Sequence, residues 1–106
     1  MPVWLAPEPT IDATGRREYF RVLSLPRVRR RLNATGDTTV LNEYAKAFEN
    51  FASYRNQLRT LRRVKDKTFK KSTDSVERFL AHYRNRCQRL AAELGFFFRA
   101  ERQNKK

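Results

Sequence analysis

The feature that most constrains the fold is an apolar stripe with helical spacing in the C-terminal third of the chain. Apolar residues recur there at three- and four-residue steps, the pattern of one helix face packed against another element. Asp74 and Glu77 form a capping-box pair at its start. The stripe therefore predicts a helix over residues 74–102. Its nine positions are Val76, Phe79, Leu80, Tyr83, Cys87, Leu90, Ala91, Leu94 and Phe98.

A second stripe of the same kind predicts another long helix over residues 38–69. Its main positions are Leu41, Tyr44, Phe48, Phe51, Leu58 and Leu61. Residues 70–73 are polar and are predicted to form the turn between the two helices. Two long helices joined by a short turn predict an antiparallel helical hairpin. With only three Gly and four Pro, the chain lacks the frequent turns of an all-β fold, so we predict an all-α protein.

The N-terminal part should differ from the hairpin. Residues 1–14 are predicted to form an extended arm, because Pro2, Pro7 and Pro9 disfavour helix interiors. Residues 15–32 are predicted to form a short basic helical segment in two pieces, with Pro26 in the first turn of the second piece. A loop is expected at 33–37 and a basic tail at 103–106. The length of 106 residues predicts a single domain, 1–106.

Such a chain is expected to depend on neighbours, because two helices cannot enclose a core from all sides. Three successive helical positions cannot face one partner, so Phe96 and Phe97 are candidate protein-interface residues beside Phe98. Trp4 and Leu5 in the arm either anchor it in a neighbour's groove or belong to a mobile tail. We therefore do not expect a stable free monomer.

The net charge of +13, from 24 Lys and Arg against 11 Asp and Glu, points to an acidic partner. The charge is concentrated in two blocks, +6 over residues 16–32 and +7 over residues 55–71, separated by a segment of −2. Arg outnumbers Lys 17 to 7, and guanidinium groups bind phosphate oxygens in pairs. The candidate RNA-binding residues are Arg27, Arg29, Arg30, Arg31, Arg55, Arg59, Arg62, Arg63, Lys65, Lys67, Lys70 and Lys71.

Catalysis is not expected from this sequence. The single histidine, His82, and the single cysteine, Cys87, are five residues apart, about 140° around a helix, and should not form a catalytic pair. No metal-ligand spacing and no glycine-rich phosphate loop occur, so neither a metal nor a cofactor is predicted. The longest apolar run, residues 94–98, is far too short for a membrane span.

Residues 53–63, with the sequence SYRNQLRTLRR, resemble the motif of the LYR-motif proteins. These are small, basic, three-helix mitochondrial proteins that bind the acyl chain of an acyl carrier protein and serve respiratory complexes or iron–sulfur delivery. The resemblance implies that Tyr54 and Arg55 carry the motif here, with Ser53 in the place of the family's leucine.

The sequence thus supports two functions of different classes. The first is a structural constituent of a ribosome, mitochondrial rather than cytoplasmic, that neutralises rRNA phosphates with Arg and Lys and docks on neighbouring proteins through its apolar stripes. The second is a small accessory subunit of a respiratory-chain complex or ATP synthase, including a LYR-like one, whose basic faces meet lipid headgroups or acidic protein. The mitochondrial matrix is the expected compartment, with the cytoplasm as the alternative.

Overall fold

Four α-helices follow one another in the computed structural model, which describes residues 6–63 and 70–98 and, of residues 70–72, only the backbone. They are α1 (Ala13–Leu23), α2 (Pro26–Thr35), α3 (Thr39–Arg63) and α4 (Lys70–Leu94). No strand occurs within these described ranges, and the all-α prediction is confirmed.

The most extensive contact in the fold is between α3 and α4. Arg62 near the end of α3 contacts Glu77 near the start of α4, whereas Tyr44 near the start of α3 contacts Phe96, just beyond the end of α4. The two helices therefore run in opposite directions along their contact. The buried side chains between them include Phe51, Leu58, Leu80, Cys87 and Leu90.

Helix α1 packs across the first half of α3, and Gly15 sets how closely the two approach. A β-carbon at this position would lie 2.5 Å from Cγ2 of Ile11, 2.7 Å from Oε1 of Glu49 and 3.1 Å from the carbonyl oxygen of Ala45. These distances leave no room for a side chain. Asp12 caps the same helix, its carboxylate accepting a hydrogen bond from the Gly15 amide at 3.0 Å.

A buried carboxylate joins α1 to α3. Glu18 is 7% exposed, and its Oε2 accepts from the Tyr44 hydroxyl at 2.6 Å and from Nη2 of Arg21 at 2.7 Å. Nε of Arg21 donates to the other carboxylate oxygen at 2.8 Å. Burial raises the pKa of Tyr44 and the charge of Glu18 raises it further, so this hydroxyl stays protonated and remains a donor. A buried charge needs such partners, because an unpaired one would oppose folding strongly.

The described part of the predicted arm is held against α3. The amide of Glu8 donates to Oδ1 of Asn42 at 2.9 Å, and the amide of Asp12 donates to Oε1 of Glu49 at 3.0 Å. Lys46 forms an ion pair with the Glu8 carboxylate at 3.0 Å. Because Asp12 already caps a helix that begins at Ala13, the predicted boundary of the arm at residue 14 is wrong.

The predicted turn at residues 70–73 is also wrong, because α4 begins at Lys70 and these residues form its first turn. Neither Gly nor Pro occurs among them, so nothing in the local sequence opposes a helix there. The pair Asp74 and Glu77 thus lies inside the helix and does not mark its start. The predicted end of α3 at residue 69 lies outside the described residues, since the helix is described to Arg63.

The predicted extension of α4 to residue 102 is wrong, because the helix ends at Leu94. Gly95 has φ +97°, and its amide donates to the carbonyl oxygen of Ala92 at 3.2 Å. The Phe96 amide donates to the carbonyl oxygen of Ala91 at 3.0 Å, which completes a Schellman motif. Phe98 is therefore buried from outside the helix, and residues 99–102 lie beyond the described range.

The loop predicted at 33–37 is shorter than expected, because α2 continues to Thr35. Gly36 has φ +68° and its amide donates to the carbonyl oxygen of Leu32 at 2.7 Å. A helix ends readily at glycine in this left-handed conformation, so α2 extends up to Gly36 and ends there.

Candidate nucleic-acid interface

The four arginines of α2 are all exposed and lie on two sides of the helix. Val28 and Leu32 are buried and fix the inner face. A β-carbon on Gly95 would lie 3.4 Å from Cδ of Arg27 and 3.6 Å from Nη1 of Arg31, so these two arginines extend over the C-terminal end of α4. Positive charges at the C-terminal end of a helix interact favourably with its dipole, so Arg27 and Arg31 help to stabilise α4. Arg29 and Arg30 project from other faces of α2 and are better placed to contact a partner.

The basic ridge of α3 comprises Arg55, Arg59, Arg62 and Arg63, all of which are candidate RNA-binding residues from the sequence. Arg59, Arg62 and Arg63 are exposed, whereas Arg55 is half-buried. Arg62 forms an ion pair with Glu77 at 3.1 Å, where both side chains are about half exposed or more. Such an exposed pair holds Arg62 only weakly. Arg59 and Arg63 have no carboxylate partner among the described residues.

Arg55 differs from the rest of the ridge. Its guanidinium carbon lies 5.2 Å from the centroid of the Phe51 ring, within the range of a cation–π contact. Burial lowers the pKa of Arg55, and the charge of Arg59 lowers it further. Arg55 is thus a constrained cation in partly apolar surroundings.

Several predicted site residues lie outside the described part of the chain or have only their backbone described there. Lys65 and Lys67 lie outside the described residues, as do Trp4 and Leu5. Lys70 and Lys71 occupy the first turn of α4, but their side chains are not described.

The two predicted interface phenylalanines have different surroundings. Phe96 is half-buried and packs edge-on against Tyr44, with ring centroids 5.2 Å apart. Phe97 is 79% exposed. Because the helix ends at Leu94, they are not on successive helical positions, and Phe97 is the one that remains a candidate contact.

A stack of three aromatic rings across α3 and α4 was not expected. Tyr54 lies between Phe79 and Tyr83, with centroid distances of 5.2 Å and 5.7 Å and interplanar angles of 20° and 13°. Phe79 was predicted to be a core residue of the α4 stripe, but it is 50% exposed. Phe79 lies at the margin of the α4 stripe, and this marginal position is the feature of the sequence that could have indicated its exposure.

An open groove of about 800 Å³ lies along the second half of α3 and the start of α4. It is lined by Ser53, Asn56, Gln57, Thr60, Leu61, Ser75 and Val76. These residues offer hydroxyl and amide groups and carry no charge, so the groove is not itself a phosphate site.

The single cysteine and the single histidine lie in different surroundings. Cys87 is buried, whereas His82 is exposed and packs its ring edge-on against Tyr83 at 4.9 Å. Within the described residues, no three His, Cys, Asp or Glu side chains are grouped closely enough to hold a metal ion. Nor is any helix in the described part long and apolar enough to cross a membrane.

No protein-family model, curated protein or solved structure matches this chain. The resemblance to LYR-motif proteins therefore depends on residues 53–63 alone.

Proposed function

We propose that the protein is a structural, RNA-binding subunit of a ribosome, and specifically of a mitochondrial ribosome. The observation that carries this proposal is the excess of basic side chains without acidic partners. Among the described residues, only Arg21, Lys46 and Arg62 form ion pairs with a carboxylate. The surplus is therefore not neutralised within the described part of the fold, and a polyanion would remove its self-repulsion.

The shape of the molecule supports a role inside an assembly. Its radius of gyration is 15.7 Å and its extents are 52 × 30 × 20 Å. A globular domain of this length has a radius of gyration of about 13 Å. The α3–α4 hairpin would serve as an elongated scaffold, with the exposed Phe97 docking on a neighbouring protein.

The mechanism would be electrostatic. Arg29 and Arg30 on α2, with Arg59 and Arg63 on α3, would contact rRNA phosphates without reading base sequence, as backbone contacts generally do. The Tyr54 stack offers a planar surface to an unpaired base, with Phe79 as the exposed ring.

Sedimentation of the tagged protein through a sucrose gradient, with and without RNase, tests the assignment. The proposal predicts co-migration with a mitochondrial ribosomal subunit that RNase treatment abolishes. Co-migration with a cytosolic subunit would correct the compartment. Co-migration with a membrane complex that is indifferent to RNase would refute the proposal and favour the respiratory-chain alternative.

A pair of variants assigns the effect to the ridge. Arg59→Glu with Arg63→Glu should prevent incorporation, because it reverses two exposed charges that face a phosphate backbone. Arg78→Glu with Arg89→Glu makes the same charge change on the side of α4 opposite α3 and should be incorporated normally. Equal behaviour of the two double variants would show that only net charge matters.

A further inference from the structure

The tripeptide Tyr-Arg-Asn occurs twice, at residues 54–56 in α3 and at residues 83–85 in α4. The two copies face each other, since the rings of Tyr54 and Tyr83 are stacked with their centroids 5.7 Å apart. Because α3 and α4 are antiparallel, the copies are related by an approximate two-fold axis. The residue after each tyrosine is an arginine, so Arg55 and Arg84 occupy equivalent positions.

The helical register places both arginines on one flank of the helix pair. Arg62 and Glu77 contact each other across the interface at 3.1 Å. Seven residues span nearly two helical turns and about 10.5 Å. Seven residues before Arg62 on α3 is Arg55, and seven residues after Glu77 on α4 is Arg84, so both steps run in the same direction along the antiparallel pair. The helical register therefore places two cations, Arg55 and Arg84, at this level of the helix pair, whereas the Arg62–Glu77 level has a cation and an anion.

Both arginines have a donor that is buried and unused. Nε of Arg55 and Nε of Arg84 are covered by protein, and neither has a hydrogen-bond partner among the described residues. Both side chains are half-buried, and that of Arg55 also packs on Phe51. Buried polar groups in proteins are usually hydrogen-bonded, so these two unpaired donors make Arg55 and Arg84 candidates for binding an anion.

We propose that Arg55 and Arg84, with Arg59 at the margin, form a binding site for phosphate groups on this flank of the α3–α4 pair. Guanidinium groups offer paired donors that match phosphate oxygens, and side chains held by packing lose little freedom on binding. A phosphate group would supply the negative charge that the pair lacks. The assignment of the phosphate to an RNA backbone rests on the proposed function. The phosphate site itself does not depend on that function.

The other basic residues are less suited to this role. Arg62 already has Glu77 as its partner, and Arg27 and Arg31 cover the end of α4. Arg84 was not among the residues that charge clustering identified, because it lies outside the two basic blocks at residues 16–32 and 55–71. It therefore provides a test that is independent of the ridge.

Thermal unfolding of the full-length protein, in sodium phosphate and in sodium chloride of equal ionic strength, tests the site. We expect a Tm roughly 6–11 °C higher in phosphate when its concentration is about ten times Kd. Arg84→Gln should lose most of this difference, and Arg84→Lys should lose much of it, because lysine keeps the charge but not the paired donors. Arg89→Gln on the outer side of α4 should keep the full difference.

A second signature separates binding from folding. In chloride, Arg84→Gln should be at least as stable as the wild type, because it removes an unpaired buried donor. An equal phosphate-dependent shift in the wild type and in Arg84→Gln would overturn the proposal, as would the absence of any shift in the wild type.

Fluorescence anisotropy with a labelled single-stranded RNA distinguishes failure of the site from failure of the proposed function. If RNA is the source of the phosphate, Arg84→Gln should weaken RNA binding several-fold more than Arg89→Gln does. A phosphate shift that depends on Arg84 without any RNA binding would support the site and refute the RNA-binding function. RNA binding that depends on Arg59 and Arg63 but not on Arg84, without a phosphate shift, would refute only the site.

Discussion

Replacing Tyr44 by Phe should destabilise the fold through the buried carboxylate of Glu18. The Tyr44 hydroxyl donates to Oε2 of Glu18 at 2.6 Å, in a place where both residues are almost fully covered. Phenylalanine keeps the ring and removes only this donor. Glu18 would then keep Arg21 as its partner and lose its link to α3.

The size of the effect follows from the type of hydrogen bond. A hydrogen bond to a charged group contributes about 1.5–3 kcal/mol to stability. The edge-on contacts of the Tyr44 ring with Phe96 and Phe98 do not involve the hydroxyl, so no packing change offsets the loss. We expect the free energy of unfolding to fall by about 2 kcal/mol, which corresponds to a Tm lower by roughly 8–16 °C.

Urea unfolding of the full-length chain, followed by far-UV circular dichroism at neutral pH, measures this loss. Tyr54→Phe is the matched control, because Tyr54 is half-buried and its hydroxyl has no hydrogen-bond partner among the described residues. Its stability should stay within about 0.5 kcal/mol of the wild type. A double-mutant cycle between Tyr44→Phe and Glu18→Gln should give a coupling energy of about 1 kcal/mol or more. Equal stability of the two phenylalanine variants, together with no coupling, would refute the argument.

Two further predictions concern close packing and pH. Gly15→Val should lower the free energy of unfolding by about 1–3 kcal/mol, because its side chain would meet Ile11, Glu49 and the α3 backbone; an unchanged urea midpoint would contradict the close contact of α1 with α3. Burial, followed by the charge of Glu18, raises the pKa of the Cys87 thiol from 9.0 to about 12. The protonated thiol therefore contributes fully to the stability of the fold below about pH 9, and this contribution is lost as the pH rises toward 12. The loss is at most about 1.4 kcal/mol per pH unit, and Cys87→Ala should show a smaller fall than the wild type between about pH 8 and pH 10; parallel curves would contradict it.

The sequence pattern was sufficient for the parts of the fold that depend on periodic burial. Leu41, Phe51, Leu80 and Leu90 lie at predicted stripe positions and are buried. Periodicity alone could not fix the helix ends. Gly95 ends α4 because it adopts a positive φ and lets Phe98 fold back onto Phe51, and that contact depends on tertiary structure.

The candidate site was only partly predictable, because charge clusters report density along the chain and not proximity in space. The ridge of α3 is visible in the sequence as a run of basic residues. Arg84 belongs to α4, and only the packing of α4 against α3 brings it to the same flank. The burial of Glu18 was equally hidden, since an acid within a basic block looks like an ordinary solvated residue. Its partner Tyr44 is 26 residues away, and only the packing of α1 on α3 brings the two together.

The position of Phe98 has a consequence for synthesis of the protein. Its ring packs against Phe51 at 5.6 Å and against Tyr44 at 6.3 Å, so residues near the end of the described chain complete a core that begins with α1. A nascent chain that has not yet released this segment from the ribosome exposes Tyr44 and Phe51. Chains truncated before residue 96 would keep all four helical sequences and still lack the aromatic contacts that close the core. Such fragments should be less stable than the full-length chain.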